Sequence, residues 1–205
     1  VLIDKKKNIK LFCDLKKIPN YFKKYFKNIK FLDLDSTSKI ISKIKKKKFI
    51  IDKNTCSFYF EDLILKNNKI LNLHDPIYAF KAIKSKKEIK NIKIAHILDG
   101  VALTKYLFWV KENFYKKKIT EISASKKLFR LRKKNKEFRY SSFPTISGTG
   151  PNGAIIHYNA TKETNRILKK GDIYLIDSGG QYEFGTTDVT RTISLDNSNK
   201  KIKNI

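Results

Sequence analysis

Two carboxylates in the stretch Tyr174 to Ile193 pose the first chemical question of this sequence. Tyr174 and Ile176 alternate with Leu175 and Asp177, while Asp188, Thr190 and Thr192 alternate with Val189, Arg191 and Ile193. That period of two reads as two adjacent strands of a hairpin, with Gly179-Gly180 and Gly185 punctuating the connection. Strand interiors are depleted in Asp, and a buried carboxylate is costly unless it is hydrogen-bonded, paired or metal-bound. Two of them facing one pocket would repel each other, and a divalent cation between them removes the repulsion. A structural reading also stands, in which one aspartate caps a turn and the other accepts backbone hydrogen bonds.

His157 is the third candidate. It follows Ala154-Ile155-Ile156, an apolar run read as a strand, and lies just after a glycine segment. There a neutral imidazole could donate to a substrate carbonyl, or it could be a satisfied core histidine. His74 lies in a linker and His96 on a helix face without partners, so neither is assigned chemistry. The segment Ser142 to Gly153 is rich in Ser, Thr, Gly and Pro, and Gly148, Gly150 and Gly153 mark backbone that must turn tightly or approach a ligand. Its match to the dinucleotide string Gly-x-Gly-x-x-Gly is a chance one, because the string does not open a helix after a strand. Thr190 and Arg191 are read as braces of the hairpin.

The elements that must position these residues follow from hydrophobic spacing. Up to about Leu73, short apolar runs (Ile9–Cys13, Phe31–Leu34, Phe49–Asp52, Ile70–Leu73) alternate with segments at helical spacing (Pro19–Lys27, Ser38–Lys45, Ser57–Leu65). This alternation predicts helices packed on a mostly parallel sheet, with Val1-Leu2-Ile3 as a further strand. His74-Asp75-Pro76-Ile77 breaks the pattern and reads as a linker. Ser85 and Glu88 then form a capping box for a long helix running toward Trp109, with Ile89, Ile92, His96, Ile97 and Val101 on one side. A second helix starts at Thr120, and its basic C-terminal turns suit the helix dipole. The expected domains are therefore 1–75 and 76–205.

Composition excludes some functions. The chain has 205 residues, 40% hydrophobic content and a formal net charge of +27. The basic residues are nearly all Lys and are spread from Lys5 to Lys203, which fits a solvated surface and not a nucleic-acid-reading patch. Cys13 and Cys56 are isolated, as in a reducing compartment, and no apolar run reaches the length of a membrane span. A cytoplasmic protein without a membrane partner is expected. The absence of Met, even at position 1, is the pattern of a fragment or a non-standard start.

Residues 142–194 contain GPNGAIIHY (150–158), YLIDSGGQY (174–182) and GTTDVTRT (185–192) in that order and spacing. They closely resemble the aminopeptidase P (Xaa-Pro aminopeptidase) family of the creatinase/methionine aminopeptidase superfamily, peptidase family M24. DPIYAFKAIKSKKEI (75–89) and AHILDGVALTKYLFWV (95–110) extend the likeness, although Ile97-Leu98 stands where the family usually has an Arg. The resemblance implies a creatinase-type α/β N-terminal domain, present in part, followed by the first part of an α+β pita-bread catalytic domain. It also implies two divalent metal ions, usually manganese, with Asp177 as the first aspartate ligand and Asp188 as the second, bridging one. His157 corresponds to the histidine that contacts substrate, and the substrate is a peptide with proline second. The remaining ligands, one His and two Glu, come later in the family's chain, and Ser194 to Ile205 contain no His or Glu. The chain alone is thus expected to be poorly stable and inactive, a portion of an enzyme that the resemblance suggests is homodimeric when full length. The alternatives are a non-catalytic pita-bread module that binds peptides or proteins and, on charge alone, a nucleic-acid-binding protein.

Overall fold

A computed structural model describes residues 1–195. The chain forms two compact units that meet in sequence between Ile83 and Lys84.

In the first unit, β1 (Leu2–Ile3), β2 (Ile9–Cys13), α1 (Asn20–Tyr25), β3 (Ile29–Asp33), α2 (Ser36–Ser42), β4 (Lys48–Ile51), α3 (Phe58–Leu65), β5 (Lys69–Asn72) and α4 (Pro76–Ala82) follow one another. The strands and helices expected from the alternation are all present. β2 runs parallel to β3 and β4 parallel to β5, while β1 is antiparallel to β2. The single sheet expected from the sequence is, however, divided into a β1-β2-β3 sheet and a separate β4-β5 pair. The segment read as a linker is ordered: the Asp75 side chain accepts from the Ile77 N–H at 2.9 Å, and Pro76 takes the first helical position, where its missing N–H costs nothing.

The second unit holds α5 (Lys86–Asn113), α6 (Glu121–Lys133), β6 (Phe138–Ser141), β7 (Ile146–Thr149), β8 (Ile173–Ser178), β9 (Gly180–Tyr182), β10 (Gly185–Thr186) and β11 (Val189–Ser194). α5 begins at the expected capping box, Glu88 N–H donating to Ser85 Oγ at 3.2 Å and Ser85 N–H to Glu88 Oε2 at 2.7 Å. Its buried face differs from expectation. Ile97 and Val101 are 66% and 51% exposed, and the helix instead buries Ala95, Asp99, Ala102, Leu103, Tyr106 and Val110. Small residues are needed there because β10 comes close: a Cβ added to Gly185 would lie 3.0 Å from the Ala95 Cβ.

Two antiparallel sheets, β11-β8-β7 and β10-β9-β6, complete the unit. β8 and β11 are neighbours as expected, Asp177 pairing with Thr190, but they are not a simple hairpin, because β9 and β10 leave to join the second sheet. On β8 the buried residues Tyr174, Ile176 and Ser178 alternate with the partly exposed Ile173, Leu175 and Asp177. Tyr174 and Ile176 share one core with Leu103, Tyr106, Val110, Ile119 and Leu128.

Inside that core the Tyr106 and Tyr174 hydroxyls are 2.6 Å apart, Tyr174 lies 2.7 Å from Ser147 Oγ, and Ser147 donates to the Glu121 carbonyl at 2.9 Å. Since the carbonyl can only accept, donation runs from Tyr106 through Tyr174 and Ser147 to Glu121. Burial pushes the Tyr174 phenol up to about 12 and that of Tyr106 well above its ordinary value. A folded-state value above the unfolded one gives stability that is complete below about pH 10 and is lost as pH rises through 12. Tyr174 alone is expected to account for about 2–3 kcal/mol over that interval. Urea midpoints that fall between pH 10 and 12 in the parent, and fall less in Tyr174→Phe, are the expected result; identical curves would contradict it.

Candidate metal and substrate site

Asp177 is the last residue but one of β8, on the face turned away from the tyrosine core. Its direct register partners are Ile146 on β7 and Thr190 on β11. Thr190 Oγ1 donates to Asp177 Oδ1 at 2.8 Å, which restrains the carboxylate's rotation. Asp188 is exposed and stands two residues before Thr190; in extended backbone that spacing returns a side chain to the same face. Asp188 itself precedes β11, which begins at Val189, so only Asp177 of the two stands in a strand. Among the described residues Arg191 bonds the carbonyl of Thr190 at 2.7 Å and no carboxylate.

His157 is not on a strand. β7 is followed by a 3-10 turn, Gly150–Ala154, and His157 itself adopts φ +55°, a left-handed conformation that side chains other than Gly rarely take. The apolar run Ile155-Ile156 misled the sequence reading, since Ile156 is 86% exposed and pairs with no strand. The glycines do what close approach requires. A Cβ on Gly148 would meet the Asn152 carbonyl oxygen at 2.9 Å, and Gly150 has φ +57°. The Gly-x-Gly-x-x-Gly string thus spans an antiparallel strand and a 3-10 turn, not the strand-to-helix turn of a dinucleotide fold.

His157 lines a pocket of about 290 Å³ with Phe143, Pro144, Ile146, Tyr158 and Asn159. Ile146 connects this pocket to the carboxylates, because it is the register partner of Asp177. This part of the unit thus carries an exposed-face aspartate oriented by a threonine, a second exposed aspartate just before β11, and an exposed imidazole beside an apolar hollow.

Hard carboxylate oxygens without a cationic partner are the donor type that divalent ions take. Among the described residues neither Asp177 nor Asp188 is ion-paired, and no third His, Cys, Asp or Glu joins them. The residues present therefore fit part of a divalent-metal site, with two ligands.

Sequence reasoning missed the groups that hold this face in place. Asp99 accepts from Arg132 Nε at 2.6 Å and Nη2 at 2.9 Å, and from the Tyr182 hydroxyl at 2.8 Å. Arg132 also donates to Ser178 Oγ at 3.1 Å, one residue beyond Asp177. Burial and the bond to Asp99 push the Tyr182 phenol up. The basic end of α6, read as a complement to the helix dipole, thus includes a fully buried arginine. Glu121 is likewise fully buried; an acidic residue in the first turn of a helix ordinarily needs no explanation beyond the dipole, so nothing in the sequence marked it. His74 is partnered: its Nδ1 lies 3.0 Å from Asp52 Oδ2 in the first unit. The Asp75 and Asn54 N–H groups hold the Asp52 carboxyl below its usual range. Among the described residues His96 bonds the Ile92 carbonyl of its own helix.

Residues 90–205 match Metallopeptidase family M24, and residues 1–88 match the Creatinase/Prolidase N-terminal domain. The chain belongs to metallopeptidase family M24. Among relatives, the Xaa-Pro aminopeptidase ApepP of Drosophila melanogaster is 41% identical over 192 residues, which cover 89% of this chain and 31% of that one. An X-prolyl aminopeptidase from Caenorhabditis elegans, described as a cytosolic enzyme with a di-nuclear active site, superposes with a TM-score of 0.81 at 26% identity, covering 94% of this chain and 33% of that one. The prolidase of Pyrococcus furiosus shares the fold, with a TM-score of 0.69 at 23% identity, over 92% of this chain and 55% of that one. The creatinase-type N-terminal domain and the first part of a pita-bread M24 catalytic domain, expected from the sequence, are what the chain contains, and it spans about a third of the length of the first two relatives.

Proposed function

We propose that this chain supplies two metal-ligating aspartates and a substrate-contacting histidine to a dinuclear-metal Xaa-Pro aminopeptidase. Such an enzyme hydrolyses the bond between an N-terminal residue and a following proline. What carries the reading is Asp177 on the open face of β8, with Asp188 two residues before its register partner Thr190 and the His157 pocket lined by its other partner, Ile146. Membership of M24 and the likeness to Xaa-Pro aminopeptidases support it.

When bound, a pair of divalent ions supplies a water acidic enough to attack at neutral pH and polarises the scissile carbonyl. The chain's own residues do the rest of what can be derived. Asp177 and Asp188 present oxygens, and Thr190 restrains the rotation of Asp177, as hydrogen bonds behind metal ligands generally do. Asp177 and Asp188 would hold the ions. His157 donates a hydrogen bond to the carbonyl oxygen as negative charge builds on it, and Phe143, Pro144 and Ile146 offer an apolar wall to the substrate. The X–Pro bond is a tertiary amide without an N–H, so recognition must rest on shape and on the carbonyl. Manganese is the metal proposed, the cytoplasm the compartment, and a homodimer the assembly. Among the described residues no helix is long and apolar enough to cross a membrane.

The test is release of residue one from an Xaa-Pro peptide by the full-length, manganese-loaded protein. Activity is expected to disappear with a chelator, and His157→Ala is expected to lower kcat by about 10²- to 10³-fold, as loss of one oxyanion donor does elsewhere. Peptide that binds and is recovered uncut would instead establish a non-catalytic binding module.

A further inference from the structure

Glu121, at the first position of α6, has no part in the chemistry above, yet it is fully buried and surrounded by donors. Its Oε1 accepts from the Thr149 N–H at 2.8 Å and Asn152 Nδ2 at 3.1 Å. Its Oε2 accepts from Asn152 Nδ2 at 3.2 Å, the Tyr158 hydroxyl at 2.8 Å and the Arg166 N–H at 2.9 Å. A carboxylate in such a place is tolerable only when every lone pair is engaged. The donors come from the end of β7, from the 3-10 turn, from the neighbour of His157 and from the segment that returns to α6. One side chain therefore ties together both ends and the middle of the loop that carries the histidine.

That loop holds His157 at φ +55°, a conformation that persists only where the surroundings over-determine it. The imidazole is exposed, so its own contacts do not hold it there. The adjoining Tyr158 is buried, and its hydroxyl also meets Asn152 Nδ2 at 2.8 Å and Thr164 Oγ1 at 3.1 Å. We propose that Glu121 is a positioning residue for His157, its carboxylate locking the 149–166 loop through Tyr158 and Asn152 so that the imidazole stands at the pocket beside Ile146. The catalytic consequence rests on the role given to His157 above.

Tyr158→Phe and Glu121→Gln, each alone and with His157→Ala, test this in the full-length, manganese-loaded protein. Tyr158→Phe keeps the ring and removes only the hydroxyl, so it decides the matter even where Glu121→Gln does not fold. Tyr158→Phe is expected to lower kcat about tenfold with KM and metal content unchanged, and to have no further effect on kcat in the His157→Ala background, because residues that act through one another are non-additive. Amide hydrogen exchange across residues 152–158 is expected to rise at least about tenfold while exchange in α5 stays the same. Unchanged exchange, or a kcat loss that persists in full without His157, overturns the proposal. A His157→Ala enzyme of full activity with faster exchange in Tyr158→Phe overturns the role of His157 and leaves the loop lock standing.

Discussion

Arg132→Met is expected to destabilise the second unit by about 3–5 kcal/mol, read from urea titration, because it strands a buried carboxylate. Asp99 and Arg132 are 2% and 1% exposed, and the guanidinium is held bidentately by both oxygens of Asp99. Neither group can reach water once its partner is gone. The loss is a large fraction of the 5–15 kcal/mol that holds a typical domain together, so poor soluble yield is part of the expected result. Asp99→Leu combined with Arg132→Met should be milder than the sum of the two single changes by more than about 1 kcal/mol, since the pair is removed along with its desolvation cost. The double variant will not return to the parent, because the Tyr182 hydroxyl, Ser178 Oγ and the Gly179 carbonyl all lose a partner. Additive single effects below 1 kcal/mol each would mean that water or neighbouring groups replace the pair, and that it does not clamp the end of β8.

How far this fold was legible depends on which interactions decide each element. Alternation along Tyr174–Asp177 and Asp188–Ile193 is enforced by a sheet with one buried face, so both strands and their pairing could be read directly. The capping box at Ser85 is local and was equally legible, as was a helix starting at Thr120, although its capping box with Ser123 was not read. Residues 154–157 were misread because an apolar run is ambiguous by itself, and what turns the chain there is Glu121, more than thirty positions away in sequence. The face of α5 was misassigned for a related reason. Isoleucines mark a stripe, but close packing selected Ala95, Ala102 and a charged residue, Asp99, whose partner sits on another helix. Of the candidate site, Asp177 was visible as a costly residue in a strand and Thr190 as a brace, which its bond to Asp177 bears out, whereas Asp188, expected in the second strand, precedes it. The groups that position them were not, since a buried Arg or Glu near a helix end looks the same in sequence as a solvated one.

Asp177→Asn is expected to separate function from stability in the opposite sense to Arg132→Met. The change keeps the size of the side chain and the acceptor that Thr190 Oγ1 needs, and removes the charge. Asp177 is only half-buried and, among the described residues, has no cationic partner, so the metal-free protein should lose no more than about 0.5 kcal/mol. Activity should behave differently. A ligand that has lost its charge holds the ion weakly, and several kcal/mol of transition-state stabilisation lost with it is a fall of at least about 10³-fold in kcat/KM. Thr190→Val should fall between, with about 10- to 100-fold weaker manganese binding, the usual effect of freeing a ligand from its hydrogen bond. Manganese titration and urea unfolding of the full-length protein measure both quantities. If Asp177→Asn unfolds readily but binds metal as before, the carboxylate is a structural group, which is the alternative that the residue's place in a strand left open. If it binds no metal and is as stable as the parent, a charge that does nothing for the fold is kept on β8 for the ion alone.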